Sequence, residues 1–102
     1  MPHVMRVRFG DDKLDRLEAD PKFDAGFQQA VIVAFRRRMQ MIRSAVDERD
    51  LRKITSHHFE KLRGDRTGQY SMRLNDQWRL ILTIEGEGDQ KTIVVLKIED
   101  YH

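Results

Sequence analysis

The fold is decided by Tyr70-Ser71-Met72-Arg73-Leu74-Asn75-Asp76-Gln77-Trp78-Arg79-Leu80-Ile81-Leu82-Thr83-Ile84-Glu85. Tyr70, Met72 and Leu74 alternate with Ser71, Arg73 and Asn75. Trp78, Leu80, Leu82 and Ile84 then alternate with Arg79, Ile81, Thr83 and Glu85. A period of two is the spacing of a strand with one buried face. Asn75-Asp76 between the two runs suits a tight turn. The stretch therefore predicts an antiparallel hairpin. The same parity has a functional consequence. If Tyr70, Met72 and Leu74 face a core, Arg73 points to the other side, and Arg79 follows it there. Two arginines are expected on one uncovered sheet face. The plain alternative is that they are ordinary solvated charges.

Downstream of the hairpin, Gly86-Glu87-Gly88-Asp89 reads as a second turn. Thr92 to Ile98 is β-branched and nearly continuously apolar, as a central strand would be. Upstream, Val4 to Phe9 alternates and is closed by Gly10-Asp11-Asp12, which predicts a first strand. Leu14 and Leu17 suggest a short helix or turn ending near Asp20-Pro21. Phe27, Val31, Phe35, Met39 and Ile42 recur at helical spacing, with Asp24 as the expected N-cap or first-turn acid. This predicts a helix of about six turns at 3.6 residues per turn, running to the neighbourhood of Val46. Asp47 to Arg66 is irregular and charged, and reads as a short helical piece or an extended loop with a turn at Gly64-Asp65. One strand, helices, then three strands is an α+β order: a mostly antiparallel sheet with helices packed on one face.

Composition limits the functions available. A chain of 102 residues and 12.1 kDa fits one domain, residues 1–102. Hydrophobic residues make up 39% and charged residues 35%, with no apolar run long enough for a membrane helix. Met1 to Gly10 lacks the long apolar core of a secretory signal. A cytoplasmic protein without a membrane partner is expected. The absence of cysteine excludes disulfide scaffolds, thiol nucleophiles and cysteine-based zinc sites. Charge is unevenly spread. Arg36 to Arg79 holds 12 Lys/Arg against 6 Asp/Glu, whereas the remainder holds 7 against 11. A basic middle between acidic ends suits a polyanionic partner.

The segment Leu62-Arg63-Gly64-Asp65-Arg66-Thr67-Gly68-Gln69-Tyr70, continuing through the hairpin to Leu80, resembles the signature of HigB-type toxins. These belong to the wider RelE family of bacterial type II toxin–antitoxin systems. Ile98-Glu99-Asp100-Tyr101-His102 resembles the C-terminal hallmark of the same group. Together the two motifs cover about the last 40 residues. The resemblance implies the RelE-like microbial RNase fold and a toxin that cuts mRNA in the ribosomal A site without a metal or other cofactor. It implies a cognate HigA-like helix-turn-helix antitoxin as partner, the ribosome and mRNA as targets, and operator DNA only indirectly through the antitoxin. It carries the family's catalytic positions onto Arg63, Arg79 and His102. Some members have a histidine where Glu60 stands here, with His57 and His58 nearby. The alternative on the same scaffold is a non-catalytic ParE-like poison of DNA gyrase, a branch that generally lacks the final Tyr-His.

The residues suit that chemistry from first principles. Metal-free RNA cleavage needs a base for the 2′-OH, cations for charge growing on phosphoryl oxygens, and an acid for the 5′-oxygen. Arg63 and Arg79 offer guanidinium forks to the phosphate. His102 offers an imidazole for proton transfer. Glu60 would serve as base if burial tuned it, and is otherwise a solvated helix-end acid paired with Arg63 or Lys61. Arg73, Arg66 and Lys61 are expected to bind RNA, and the Arg36-Arg37-Arg38 run with Arg43 to contact ribosomal RNA from the long helix. Adjacent His57 and His58 lack a third ligand, so no metal site is expected.

Overall fold

The computed structural model describes residues 5–53, 58–88 and 90–100. Among them the chain runs β1 (Arg6–Phe9), α1 (Asp12–Ala19), α2 (Gln29–Ser44), α3 (Glu48–Arg52), β2 (Glu60–Lys61), a 3-10 turn (Gly64–Arg66), β3 (Gln69–Arg73), β4 (Trp78–Glu85) and β5 (Thr92–Asp100). The strands form one sheet in the order β1-β5-β4-β3-β2. Only β1 and β5 are parallel, and the helices between the first strand and the rest supply the crossover that parallel pairing needs. The expected α+β architecture and the hairpin are both present. β5 lies inside the sheet between β1 and β4, as its apolar run requires.

The helices form where local chemistry starts them. Asp11 caps α1, its carboxylate accepting from Lys13 N at 2.9 Å, and Leu14 and Leu17 turn inward. Asp47 caps α3 in the same way, and Leu51 is its buried residue. In α2 the stripe Val31, Ile32, Phe35, Met39 and Ile42 is buried against one side of the sheet. It meets Met72, Leu74, Leu80, Leu82, Ile93 and Val95 there, in one core with Leu14, Leu17 and Leu51.

Four sequence expectations need correction. The long helix begins at Gln29, not near Phe27, because Ala25 (φ 52) and Gly26 (φ 84) put the preceding backbone in the left-handed region. Asp24 is therefore no N-cap; its carboxylate accepts from Gly26 N at 2.9 Å in a loop turn, and Gln28 caps α2 without a side-chain bond. The segment Asp47–Arg66 contains both α3 and a short edge strand, β2, so that Glu60 sits in a strand and not at a helix end. The hairpin turn is also longer than Asn75-Asp76. Arg73 ends β3, and Asn75 Oδ1 accepts from both Gln77 N and Trp78 N across the turn.

Strand β5 carries an irregularity: its register against β4 slips once. Ile81 faces Lys97 but Leu82 faces Val95, leaving Leu96 as an extra residue. This is a β-bulge, and it reverses the parity of the strand beyond it. Ile93 and Val95 face the helices. Without the bulge Glu99 would join them; with it, Ile98 turns to the helix side, and Lys97 and Glu99 turn away. Gly10 donates its N–H to Val95 O at 2.8 Å beside this kink, and a Cβ there would sit 3.2 Å from Leu96 Cδ2.

Candidate nucleic-acid interface on the helix-free sheet face

The face of the sheet without helices is crossed by a row of charged side chains. Arg73 on β3 lies opposite Arg79 on β4, which lies opposite Glu99 on β5. Directly opposed residues share a face, so Arg73 and Arg79 are brought together as their parity predicts. The adjacent row is Ser71, Ile81 and Lys97. Ser71 and Ile81 are fully buried although no helix lies over them. The face is not uncovered, then. Arg66, from the 3-10 turn, spans it: Nε approaches Gln69 Oε1 on β3 at 3.3 Å, while Nη1 and Nη2 reach Glu99 on β5 at 2.8 and 3.0 Å. Strands β3 and β5 lie on opposite sides of β4, so this side chain passes over the middle strand.

Arg79 is half-buried in this arrangement, with Nε and Nη1 shielded from solvent. Arg73 is half-buried too and is paired with Asp76 of the hairpin turn. Glu99 accepts from Arg66 and also lies 3.1 Å from Lys97 Nζ. The Arg66 guanidinium, with Lys97 adding to it, holds the Glu99 carboxyl below the ordinary carboxylate range despite partial burial.

Arg63 is exposed at the start of the 3-10 turn, on the rim of an open depression of about 590 Å³ shared with Glu60, Lys61, Leu62, Gly64 and Thr67. Glu60 lies opposite Ser71 and so shares the face of Arg73 and Arg79. It is exposed, however, and lacks the burial on which its reading as a base depended; its basic neighbour is His58 at 4.0 Å, not Arg63 or Lys61. Lys61, opposite Tyr70, belongs to the helix side of β2. His102, Tyr101 and His57 lie outside the described residues. Among the described residues, no three His, Asp or Glu side chains gather as a metal site.

The helix arginines are not brought to this face. Arg36 is a structural cap: Nε donates to Leu17 O at 3.1 Å and Nη2 to Asp20 O at 3.0 Å, with Phe23 O at 3.5 Å, closing the C-terminal end of α1. Arg43 forms a two-pronged pair with Glu18, both contacts at 2.6 Å, which ties α2 to α1. Arg37 is exposed on α2, the layer that covers the opposite side of the sheet. Arg38, expected with its neighbours to contact RNA, donates from Nε to Arg73 O at 3.0 Å; burial and the neighbouring Arg37 and Arg73 charges lower its pKa. Sequence reasoning missed one residue. Glu99 stood in the C-terminal motif without a role.

Comparison with known proteins agrees with the geometry. A family model described as the RelE-like toxin of the type II toxin–antitoxin system HigB matches residues 7–102. Toxin HigB-1 of Vibrio cholerae serotype O1 is 32% identical over 77 residues, 76% of this chain and 81% of the relative. Among solved structures, a YoeB/ParE toxin from Agrobacterium tumefaciens superposes with a TM-score of 0.58 at 18% identity, covering 96% of this chain and all of the other. The YoeB dimer from Staphylococcus aureus gives a TM-score of 0.50 at 18% identity, covering 96% of this chain and 97% of the other. At such identities the structures speak for the fold, which is RelE-like.

Proposed function

The chain belongs to the HigB-like family of RelE-like toxins from type II toxin–antitoxin systems, and we propose that it is a ribosome-dependent endoribonuclease that cuts mRNA in the ribosomal A site. Membership implies an antitoxin partner, which we take to be a HigA-like helix-turn-helix protein. The observation that carries the nuclease reading is the row of Arg73 and Arg79 on the helix-free sheet face, bordered by the turn that bears Arg63 and Arg66.

In this reading a base removes the proton of the 2′-OH, and the 2′-oxygen attacks the adjacent phosphorus. The bond from phosphorus to the 5′-oxygen breaks as an acid delivers a proton to that oxygen. The products are a 2′,3′-cyclic phosphate and a 5′-hydroxyl. Negative charge peaks on the non-bridging oxygens, and Arg79 is the group best prepared to receive it. Its guanidinium is half-buried and held in a strand, so little reorganisation accompanies reaction. Arg63, exposed at the start of the turn, is assigned a second contact with that phosphate through the family motif. His102 is assigned the proton transfer through the C-terminal motif. Glu60, on the same face but solvated, serves as proton acceptor only if the ribosome encloses it.

Induction in growing cells, followed by mapping of mRNA 5′ ends, tests the proposal. New ends inside translated codons are expected. They should fall by a factor of about 10²–10³ in Arg79→Ala, the usual loss for one oxyanion-stabilising donor. Growth arrest with intact mRNA and broken chromosomal DNA would instead establish the gyrase-poison alternative.

A further inference from the structure

Glu99 is the acidic member of the row that contains Arg73 and Arg79, and it faces them only because of the bulge at Leu96. Bulges beside functional sites commonly re-aim a side chain in this way. Its carboxylate is met by a guanidinium in fork-to-fork geometry at 2.8 and 3.0 Å, and by Lys97 at 3.1 Å. The pair is partly sheltered, with 33% and 21% of the Arg66 and Glu99 side chains exposed. Arg66 belongs to the turn that begins just after Arg63. Within the loop, Leu62 N donates to Gln69 O, and Thr67 N and Oγ1 donate to Gly64 O. The contact with Glu99 joins this turn to a strand 33 residues away in sequence. Engaged by two cations, the carboxylate is not placed to accept a proton from a substrate.

We infer that Glu99 is a positioning residue. Through its two-pronged pair with Arg66 it fixes the turn bearing Arg63 against the row bearing Arg79, and so sets the spacing at which two guanidiniums grip one phosphodiester. The inference rests on the nuclease reading above. It has a distinctive kinetic signature. Glu99→Gln removes a negative charge from a basic face, so attraction for RNA is not weakened, while the alignment of the two arginines is lost.

The experiment is a cleavage assay with purified toxin on ribosomes carrying a defined mRNA, with thermal unfolding of each variant in parallel. Glu99→Gln should lower kcat by about 10- to 100-fold, the usual cost of small misplacement, with KM unchanged or reduced. Arg66→Glu should lose at least as much, and the charge-swapped Arg66→Glu/Glu99→Arg chain should recover about tenfold over the Arg66→Glu single variant. Should Glu99→Gln fail to fold, Glu99→Asp carries the test: it keeps the charge but shortens the reach to Arg66, and an intermediate kcat is expected. Wild-type kcat in a folded Glu99→Gln or Glu99→Asp chain, a raised KM alone, or a swap no better than the single variant would overturn the positioning role. A wild-type chain that cleaves no mRNA overturns the nuclease reading itself, and this role with it.

Discussion

Arg36 and Arg79 show how differently one side-chain type is used in this protein. Arg36 donates to the carbonyls at the end of α1, in the helix layer, whereas Arg79 lies within the opposite face of the sheet. Arg36→Ala should therefore destabilise the fold by about 1–3 kcal/mol, since charged donors to backbone carbonyls are lost. Urea unfolding measures that loss, and cleavage per folded molecule should stay at the wild-type level. Glu99 makes a second, pH-dependent prediction. Its pKa in the folded chain is lowered from an ordinary value near 4.5, mainly by Arg66. A depressed acid stabilises the fold fully above its unfolded pKa and loses that contribution as pH falls through its folded pKa. The Arg66–Glu99 pair thus acts at full strength at neutral pH and fails only in acid. Unfolding measured from pH 6 down to pH 3 should show a smaller loss of stability in Glu99→Gln than in the wild type.

At the scale of elements, α2 is stabilised by packing and not by its ends. Its first turn contains no acid, and Gln28 provides no side-chain cap. Gln28→Asp supplies both, and should add about 0.5–1 kcal/mol, read as a rise in thermal midpoint of a few degrees. The same element shows what was legible in the sequence. Phe27 fits the apolar period of α2, yet it stands in the loop before it, its ring edge-on to Trp78 at 5.6 Å. Periodicity reports which side chains are buried; it does not report that Ala25 and Gly26 have left helical backbone. The hairpin was readable because a two-residue period fixes both strand and face, and this placed Arg73 and Arg79 together in advance. β2 was not, because a strand of two residues offers no period at all. Nor was the cover over the sheet face. Arg66 reaches Glu99 across the sheet, and no local pattern records a contact between residues 33 positions apart.

Over the whole molecule, the basic middle of the sequence divides between two faces. Arg36 and Arg43 hold α1 and α2 together on one side, while Arg66, Arg73 and Arg79 belong to the other, and Arg63 is exposed at the turn that carries Arg66. Total charge is therefore a poor guide to RNA affinity, and the salt dependence of binding separates the two groups. Binding to mRNA-programmed ribosomes should weaken steeply with salt. Arg63→Ala should make the plot of log affinity against log salt shallower by about one phosphate's worth, whereas Arg36→Ala should leave the slope unchanged.

The most direct test is to follow one defined mRNA, free or held in ribosomes with a known A-site codon, after addition of purified wild-type or Arg79→Ala toxin. The sheet-face account predicts a cut within the A-site codon, a 5′-hydroxyl on the downstream fragment, no cut in free mRNA, and a rate at least about a hundredfold lower for Arg79→Ala. Equal cleavage by both proteins, or an mRNA left whole by a toxin that still arrests growth, would contradict it.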